Sequence, residues 1–237
     1  MNLDAFTGLM DEAQLPDPLP ESPMPLARQW LDEAVASAHQ PNPTAMTLAT
    51  IGPDGVPGAR IVLCRDLRVQ EGCAVFYTNY DGDKGQALEA NPVAALCFHW
   101  DHTERQVRLT GPVTRSPAAE SDAYFATRAW ESRLGAWASR QSRPLESRQQ
   151  LLEQVVDAIT TLKLDVGALM TRGREVVIPR PPHWGGYRVW ASSVELWVGG
   201  KGRLHDRARW TRPLTRETTP EGVVYRGGAW SGTRLQP

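Results

Sequence analysis

Residues 194–207 read VELWVGGKGRLHDR and form the most informative stretch of the chain. From Val194 to Val198, aliphatic residues alternate with glutamate and tryptophan, which predicts a β-strand with one buried face. The Gly199-Gly200 pair then ends the strand, and a polar segment rich in basic residues follows. A strand, a tight break and a second polar strand are typical of an antiparallel β fold.

Arg203, His205 and Arg207 are spaced two residues apart in that polar segment. If the segment is extended, all three side chains project from the same face. Two permanent cations flanking an imidazole suit a planar, anionic, redox-active ligand better than a hydrophobic core. A solvated basic hairpin explains the same spacing equally well.

The composition is that of an ordinary globular protein. Of 237 residues, 41% are hydrophobic and 22% are charged, and the formal net charge of −1 gives no overall field that would recruit nucleic acid or a membrane. Cys64, Cys73 and Cys97 lack metal-ligand spacing and lie in apolar, strand-like segments, which predicts free thiols and no metal site.

The first 24 residues are acidic and rich in proline, which predicts a mobile N-terminal arm, with residues 25–237 forming a single domain. The arm shows no signal-peptide pattern, and no apolar run approaches the roughly 18 residues of a membrane span. We therefore expect a cytoplasmic protein.

Hydrophobic periodicity predicts one helix and then a series of short strands. Residues 26–38 carry apolar side chains at helical spacing. Strands over 46–51 and 59–65 flank the turn Pro53-Asp54-Gly55 and form a hairpin. Further strands are predicted over residues 73–79, 93–100, 106–114, 186–190, 194–198, 205–211 and 223–226. This pattern favours a mainly β fold, an antiparallel β-barrel with appended α-helices, over a parallel α/β sheet.

Three further helices are predicted between the strands. A short one covers 82–91, and a longer one begins at Pro117 and runs to about Trp130. The buried stripe of the third is formed by Leu151, Leu152, Val155, Val156 and Ile159. Residues 163–183 are predicted to be irregular.

Polar residues at strand ends are candidates for an anion site. Arg60 and Arg65 bracket one strand, and their spacing places them on opposite faces, so a single anion is not expected to contact both. Tyr77 and Thr78 end another strand, and Lys84 lies near the start of a helix, where anions are favoured. Solvent-exposed strand ends are the alternative interpretation.

Tyr124, Arg128 and Ser132 are spaced four residues apart, which places them on one helical face, although Ser132 lies beyond the predicted end of the helix near Trp130. A phenol, a guanidinium and a hydroxyl in this arrangement form a plausible phosphate clamp, although a core tyrosine and a surface arginine fit the same spacing. Gln106 and the pair Gln141-Ser142 offer neutral amide and hydroxyl groups. Such groups form hydrogen bonds with the ring heteroatoms and the hydroxyls of a flavin, although this property alone excludes little.

Taken together, these segments resemble the pyridoxamine 5'-phosphate oxidase family. The matching segments are MTLATIGPDGVPGARIVLCR (46–65), VFYTNYDGDKG, ERQVRLTGPV, AYFATR, LGAWASRQS, PRPPHWGGYR, VELWVGGKGRLHDR and the terminal RLQP. The resemblance covers roughly residues 26–237, and the E-x-W pattern followed by RLHDR is its most specific part.

The resemblance implies an FMN-binding split β-barrel that forms a homodimer with two FMN sites at the interface. FMN contacts would fall on Arg60, Ile61, Val62, Leu63, Arg65, Tyr77, Thr78, Lys84, Gln106, Gln141, Ser142, Trp197 and Arg207. The phosphate of the substrate would be held by Arg65, Tyr124, Arg128 and Ser132. Arg203 and His205 would lie over the pyridine ring as substrate-binding and catalytic residues.

The implied activity is oxidation of pyridoxamine or pyridoxine 5'-phosphate to pyridoxal 5'-phosphate, with O2 reduced to H2O2. One alternative is a paralogous FMN-dependent oxidase of secondary metabolism, of the phenazine-biosynthetic kind. Another is a flavin-binding barrel without catalysis. The complete phosphate clamp favours oxidation of a phosphorylated pyridine over the phenazine-type activity. The complete RLHDR element favours an enzyme over a barrel without catalysis.

Four departures from the family pattern accompany the resemblance. Arg65 stands where the family usually has lysine, and Asp83 where an arginine often contacts the FMN phosphate. Val198 replaces a common glutamine, and the N-terminal arm lacks the arginine and tyrosine that usually close over the substrate. These departures bear on lid closure and on the identity of the substrate.

Overall fold

The first hairpin forms where the sequence predicts it, because its turn residues suit the turn. In a computed structural model that describes residues 14–237, Asp54 Oδ1 accepts a backbone N–H two residues further on at 3.0 Å. Gly55 has a φ of 81°, a conformation that glycine adopts without strain. The turn joins β1 (Ala45–Ile51) to β2 (Pro57–Leu63), which pair antiparallel.

Ten further strands and six helices are present in the described chain. The predicted elements occur in their predicted order, and three strands and two helices lie where none was predicted. The strands are β3 (Asp66–Arg68), β4 (Cys73–Asn79), β5 (Val93–Trp100), β6 (Arg105–Arg115), β7 (Trp184–Trp190), β8 (Ser193–Val198), β9 (Asp206–Thr211), β10 (Leu214–Thr219), β11 (Gly222–Gly227) and β12 (Ser231–Leu235). The helices are α1 (Met24–Ser37), α2 (Asp83–Ala90), α3 (Ala118–Thr127), α4 (Trp130–Ala138), α5 (Arg148–Thr161) and α6 (Val166–Arg172).

One antiparallel sheet contains every described strand except the β10–β11 hairpin. Its main path runs β12-β9-β8-β6-β5-β1-β2, while β7 joins β6 to β4 and β4 pairs with β3. The long strand β6 pairs with β8 over its first half and with β7 at Val113–Arg115, so the sheet curls into a half-barrel. A Cβ at Gly111 would lie 1.8 Å from the carbonyl oxygen of Trp190, so only glycine permits this crossing.

Two apolar clusters stabilise the fold. The first fills the concave side of the sheet under α1 and includes Leu48, Leu96, Leu109 and Leu196, all fully buried. The second joins the helices to the start of β7 through Phe125, Leu134, Ala136, Ala138, Ala158, Leu169, Ile178 and Trp184. Each fully buried leucine or phenylalanine of these clusters stabilises the folded state by about 1.5–3 kcal/mol. The mainly β prediction with appended helices is confirmed.

Residues 14–23 of the predicted arm pack against the barrel. Leu15 is buried, and its N–H donates to Asp206 Oδ2 at 2.8 Å. Trp210 Nε1 donates to the carbonyl oxygen of Pro20 at 2.9 Å. The packed structure therefore begins well before residue 25, and residues 1–13 lie outside the described part of the chain. The division into an arm and a single domain stays a prediction.

The helical region differs from its prediction in two further places. Residues 163–183 contain α6, because Asp165 caps it by accepting the Ala168 N–H at 3.0 Å, a cap that the prediction missed. In α5, Leu152 and Val156 are 53% and 60% exposed, whereas Ala158 is buried. The predicted buried stripe is therefore wrong in part, because α5 turns its alanine side toward α4.

The three cysteines are free thiols, as predicted. Burial raises the pKa of Cys64 and of Cys73 to about 12, so both stay protonated and unreactive near neutral pH. None of the helices within residues 14–237 has the length and apolar character that spanning a bilayer requires.

Candidate active site

A cavity of about 540 Å³ opens where β2 and β4 end against α3 and α4. It is lined by Arg60, Ile61, Val62, Leu63, Arg65, Tyr77, Thr78, Asn79, Lys84, Tyr124, Arg128, Ser132, Gly135, Ala136, Ser139, Gln141 and Trp184. The structure thus brings together the whole predicted phosphate clamp and most of the residues predicted to contact FMN. Their roles stay predictions, but their proximity is a property of the fold.

Two cations that line the cavity, Arg60 and Lys84, lie close enough to affect each other. Arg60 Nη1 donates to Thr50 Oγ1 at 2.7 Å and to the carbonyl oxygen of Leu48 at 3.2 Å, so its guanidinium is held against β1. Lys84 projects from the first turn of α2, and its Nζ donates to Gln141 Oε1. Burial, together with the nearby charge of Arg60, lowers the pKa of Lys84. Two cations that destabilise each other in this way form a site for an anion.

A second group of lining residues combines stacked aromatic rings with two arginines. Tyr77 stacks on Tyr124 with ring centroids 4.0 Å apart, and on Trp184 at 5.5 Å. Arg128 Cζ lies 4.6 Å from the centroid of Trp184, and Arg65 Cζ lies 5.8 Å from that of Tyr124. The aromatic faces hold both guanidiniums by cation–π contact while leaving hydrogen-bond donors for a ligand.

Arg128 lacks an acceptor that it needs. Its Nη1 is buried and has no hydrogen-bond partner among the described residues. Burial lowers the pKa of Arg128, and the charge of Arg65 lowers it further. A buried donor without an acceptor costs about 1–3 kcal/mol, and an oxyanion bound here would supply the acceptor.

The clamp is assembled differently from the prediction. The helix expected to run to Trp130 ends at Thr127, and Arg128 is extended with φ −73° and ψ 151°. Ser132 lies past the end of that helix, which the sequence allowed, and belongs to the first turn of α4. The expectation of one shared helical face is wrong because the helix already ends before Arg128. The break lets Leu134 and other residues of α4 reach the second apolar cluster, and this packing overrides local helix propensity.

The prediction for Arg60 and Arg65 is also corrected. Strand β2 ends at Leu63, so alternation along the strand does not extend to Arg65. The Arg65 N–H instead donates to the carbonyl oxygen of Val75 at 2.8 Å, which turns the chain toward β4. Both arginines therefore line the same cavity.

A second group of predicted residues lies on the face of the sheet formed by β6, β8 and β9. Trp197 is the cross-strand neighbour of both Gln106 and Arg207. Alternation puts these three side chains on the face opposite the buried Leu196 and Ala208. None of the three lines the cavity, and neither do Ser142, Arg203 and His205. Within one protomer the predicted FMN contacts therefore form two separate groups.

The RLHDR segment was expected to be one extended strand, but the structure shows that it is not. Lys201–Arg203 form a single 3-10 turn, and Arg203 has a φ of 64°, so it leaves the face that His205 and Arg207 follow. The His205 Nδ1 accepts the Gly200 N–H at 3.2 Å, and its ring centroid lies 4.6 Å from that of Trp197. The neutral imidazole therefore carries its proton on Nε2.

Sequence reasoning missed two residues that matter for this geometry. Trp184 stacks in the cavity wall against Arg128. It lies two residues before the predicted strand 186–190 and within the matching segment PRPPHWGGYR, and neither pattern assigned it a role. Glu195 is 4% exposed although it lies on the polar face of β8. Its carboxylate accepts hydrogen bonds from Arg207 and Arg209. The E-x-W pattern contained this residue without indicating its partners.

A curled antiparallel sheet with a helical cap and a cationic, aromatic-lined cavity defines the class of FMN-binding split-barrel proteins. Residues 31–163 match the model of the family described as pyridoxamine 5'-phosphate oxidase. Residues 184–237 match the model described as the pyridoxine 5'-phosphate oxidase C-terminal dimerisation region. The chain belongs to the pyridoxamine 5'-phosphate oxidase family. The predicted family, fold, oxidoreductase class and FMN cofactor are thereby confirmed.

Similar proteins cover nearly the whole chain. A pyridoxine/pyridoxamine 5'-phosphate oxidase from Chromobacterium violaceum is 46% identical over 208 residues, 88% of this chain and 85% of its own length. One from Brucella canis is 45% identical over 216 residues, covering 91% and 94%. PhzG from Burkholderia lata, solved in complex with tetrahydrophenazine-1-carboxylic acid, superposes with a TM-score of 0.74 at 26% identity, covering 92% and 94%. A related FMN-binding protein from Nostoc punctiforme has the same fold, with a TM-score of 0.63 at 16% identity over 92% of this chain and all of that one.

The residues present fit FMN. A phosphate-bearing flavin needs cations at one end, neutral hydrogen-bonding groups along its length and flat apolar surfaces for its ring. Arg60 and Lys84 supply the cations, while Thr78 and Gln141 supply neutral groups in the same cavity. The buried Arg207 Nε has no partner among residues 14–237 and offers a further unsatisfied donor beside Trp197.

Proposed function

We propose that this protein acts as a pyridoxine/pyridoxamine 5'-phosphate oxidase. For the amine, the net reaction consumes pyridoxamine 5'-phosphate, O2 and water and yields pyridoxal 5'-phosphate, ammonia and H2O2. The observation that carries the proposal is the cavity itself, which is lined by two pairs of neighbouring cations, Arg65 with Arg128 and Arg60 with Lys84. Two cationic pairs in one cavity suit two phosphorylated molecules bound side by side.

Arg60, Lys84, Thr78 and Gln141 would hold FMN, with the two cations on its phosphate. When bound, FMN supplies the two-electron acceptor for the substrate carbon and passes the electrons to O2. The side chains of the protein do the binding and positioning, since no described residue needs to change its oxidation state.

The substrate phosphate would be held by Arg128, Arg65, Tyr124 and Ser132. Arg128 is the central member, because the Trp184 ring fixes its guanidinium and its Nη1 needs an acceptor. Binding energy at the phosphate is remote from the reacting carbon, and it is available to orient that carbon.

Arg203 and His205 would orient the pyridine ring from a second copy of the chain. These residues and Gln106, Trp197 and Arg207 do not line the cavity of their own protomer, and the C-terminal segment that carries most of them matches a dimerisation region. A homodimer in which the sheet face of one copy covers the cavity of the other completes the site. His205 would present an Nε2–H donor to the ligand, because Gly200 occupies Nδ1.

The proposal is tested with purified protein. We expect a yellow protein with stoichiometric FMN that converts pyridoxamine 5'-phosphate in air to an aldehyde with an equal amount of H2O2. Bound FMN without turnover of either phosphorylated substrate would contradict the proposed activity. The cytoplasmic location stays a prediction.

A phenazine-type flavin oxidase is the second candidate, and the similarity to PhzG at a TM-score of 0.74 is the observation that favours it. That protein was solved with a ligand that has no phosphate. The complete set of Arg65, Tyr124, Arg128 and Ser132 around this cavity argues for a phosphorylated substrate instead. Turnover of a reduced phenazine carboxylate in preference to pyridoxamine 5'-phosphate would favour the phenazine-type function over the proposed one.

The affinity for FMN is expected to fall as the pH rises toward the alkaline range. The ammonium form of Lys84 binds the phosphate, and the pKa of Lys84 is lowered, so its charge is lost at a lower pH than that of an exposed lysine. The Lys84→Arg variant stays charged and should move this loss to higher pH. Fluorescence titration of FMN from pH 7 to pH 10 measures both profiles, and coincident profiles would exclude Lys84 as the titrating group.

A further inference from the structure

The polar face of β6, β8 and β9 is organised around one buried carboxylate. Glu195 on β8 is flanked in register by Arg108 on β6 and Arg209 on β9. Arg207 Nη2 donates to Glu195 Oε1 at 2.7 Å, and Arg209 Nη2 donates to Oε2 at 3.2 Å. Arg108 Nη1 lies 3.6 Å from Oε2. Three guanidiniums therefore share a single negative charge.

The three arginines differ in their exposure to solvent and in how closely they contact this carboxylate. The side chains of Arg108 and Arg209 are 49% and 47% exposed, and water solvates them on this face. Arg207 is 25% exposed and makes the shortest contact with Glu195. Its other described side-chain hydrogen bond is a long one, 3.5 Å from Nη1 to the carbonyl oxygen of Gln236. Arg207 is therefore the least solvated of the three arginines and the one that Glu195 contacts most closely.

Charge balance also limits what can bind beside this cluster. A buried carboxylate is stable only when it is paired, and here it neutralises one of three adjacent positive charges. The remaining positive charge lies next to Trp197, the cross-strand neighbour of Arg207. An aromatic ring beside surplus positive charge suits an electron-rich or anionic planar ring.

We propose that Glu195 is a positioning residue for FMN, which it affects through Arg207 without contacting the flavin. It holds in place the Arg207 guanidinium, whose buried Nε has no partner in the described chain. Arg108 and Arg209 contact the same Glu195 carboxylate from the two neighbouring strands. This inference rests on the proposed FMN site and adds to it a residue that contacts neither ligand.

The inference is tested by a double-mutant cycle on FMN binding. FMN dissociation constants are measured by quenching of flavin fluorescence for the unmodified protein, Glu195→Gln, Arg207→Ala and the double variant. Glu195→Gln removes the charge and turns an NH2 group toward arginine donors, so we expect FMN affinity to fall about tenfold or more. In the Arg207→Ala background the same change should alter affinity less than about twofold, because its effect passes through Arg207.

Glu217→Gln is the matched control, since Glu217 pairs with Arg226 on the separate β10–β11 hairpin and should leave FMN binding unchanged. Melting curves of the FMN-free proteins separate a general loss of stability from a loss of binding. If Glu195→Gln is too unstable to titrate, Glu195→Asp keeps the charge but shortens the side chain, and its smaller loss of affinity should likewise disappear with Arg207→Ala.

Equal effects of Glu195→Gln in the two backgrounds, or no effect in the unmodified background, would overturn the inference. Those outcomes leave the proposed function intact, provided that the unmodified protein binds FMN and oxidises pyridoxamine 5'-phosphate. Conversely, the protein could bind FMN and show strong coupling between Glu195 and Arg207 without oxidising either phosphorylated substrate. That result would support the role of Glu195 and contradict the proposed activity. Failure of the unmodified protein to bind FMN would contradict both.

Discussion

Replacing Arg128 with alanine is expected to lower kcat/KM for pyridoxamine 5'-phosphate by about a hundredfold or more. A charge-assisted hydrogen bond is worth about 1.5–3 kcal/mol, and each 1.4 kcal/mol changes an equilibrium tenfold. Arg128 is held by Trp184 with one buried donor unpaired, so its alignment costs little when the phosphate binds. Arg65 remains in the same cavity and retains part of the binding.

The comparison that decides the role of Arg128 uses pyridoxamine without its phosphate. Steady-state kinetics should show a large loss for the phosphorylated substrate and almost none for the unphosphorylated one, which is already poor. Arg148→Ala, at an exposed arginine that begins α5, serves as the control. Equal losses for both substrates would show that Arg128 does not contact the phosphate.

The Arg203→Ala variant is expected to lose turnover by about a hundredfold or more while it still binds FMN. Arg203 is not among the predicted FMN contacts, and orientation of a bound substrate accounts for rate factors of this size. Arg203 lies on an exposed 3-10 turn with a φ of 64°, so removal of its side chain leaves the core of the barrel unchanged. Flavin absorbance gives FMN occupancy and H2O2 release gives turnover. Normal turnover would remove Arg203 from the mechanism.

Mixing the two inactive variants tests whether the site is shared between subunits. If Arg128 and Arg203 of one site come from different protomers, a mixed dimer contains one intact site and one doubly altered site. After subunit exchange at equal concentrations, activity should recover to about a quarter of the unmodified level. If both residues served a site within one protomer, no mixture would recover activity.

Local sequence patterns predicted most of the strands correctly. The first hairpin, β4, β5 and β8 lie close to where alternation and turn residues place them. Strands β1 and β5 bury alternate residues in the same core, whereas β4 is buried on both faces. The prediction failed where packing against distant elements decides the local conformation. The helix break at Arg128 and the Lys201–Arg203 turn both belong to this group.

The sequence by itself determined which chemical groups this protein has, the alternation that makes it mainly β and the motifs that place it in its family. These properties depend on residue type and short-range spacing. Only the tertiary structure decided which groups meet. Arg60 and Arg65 share a cavity because the chain turns after Leu63, whereas the cross-strand neighbours Trp197 and Arg207 do not line it. Such proximity depends on strand register and on packing between residues far apart in the chain, which no local pattern encodes.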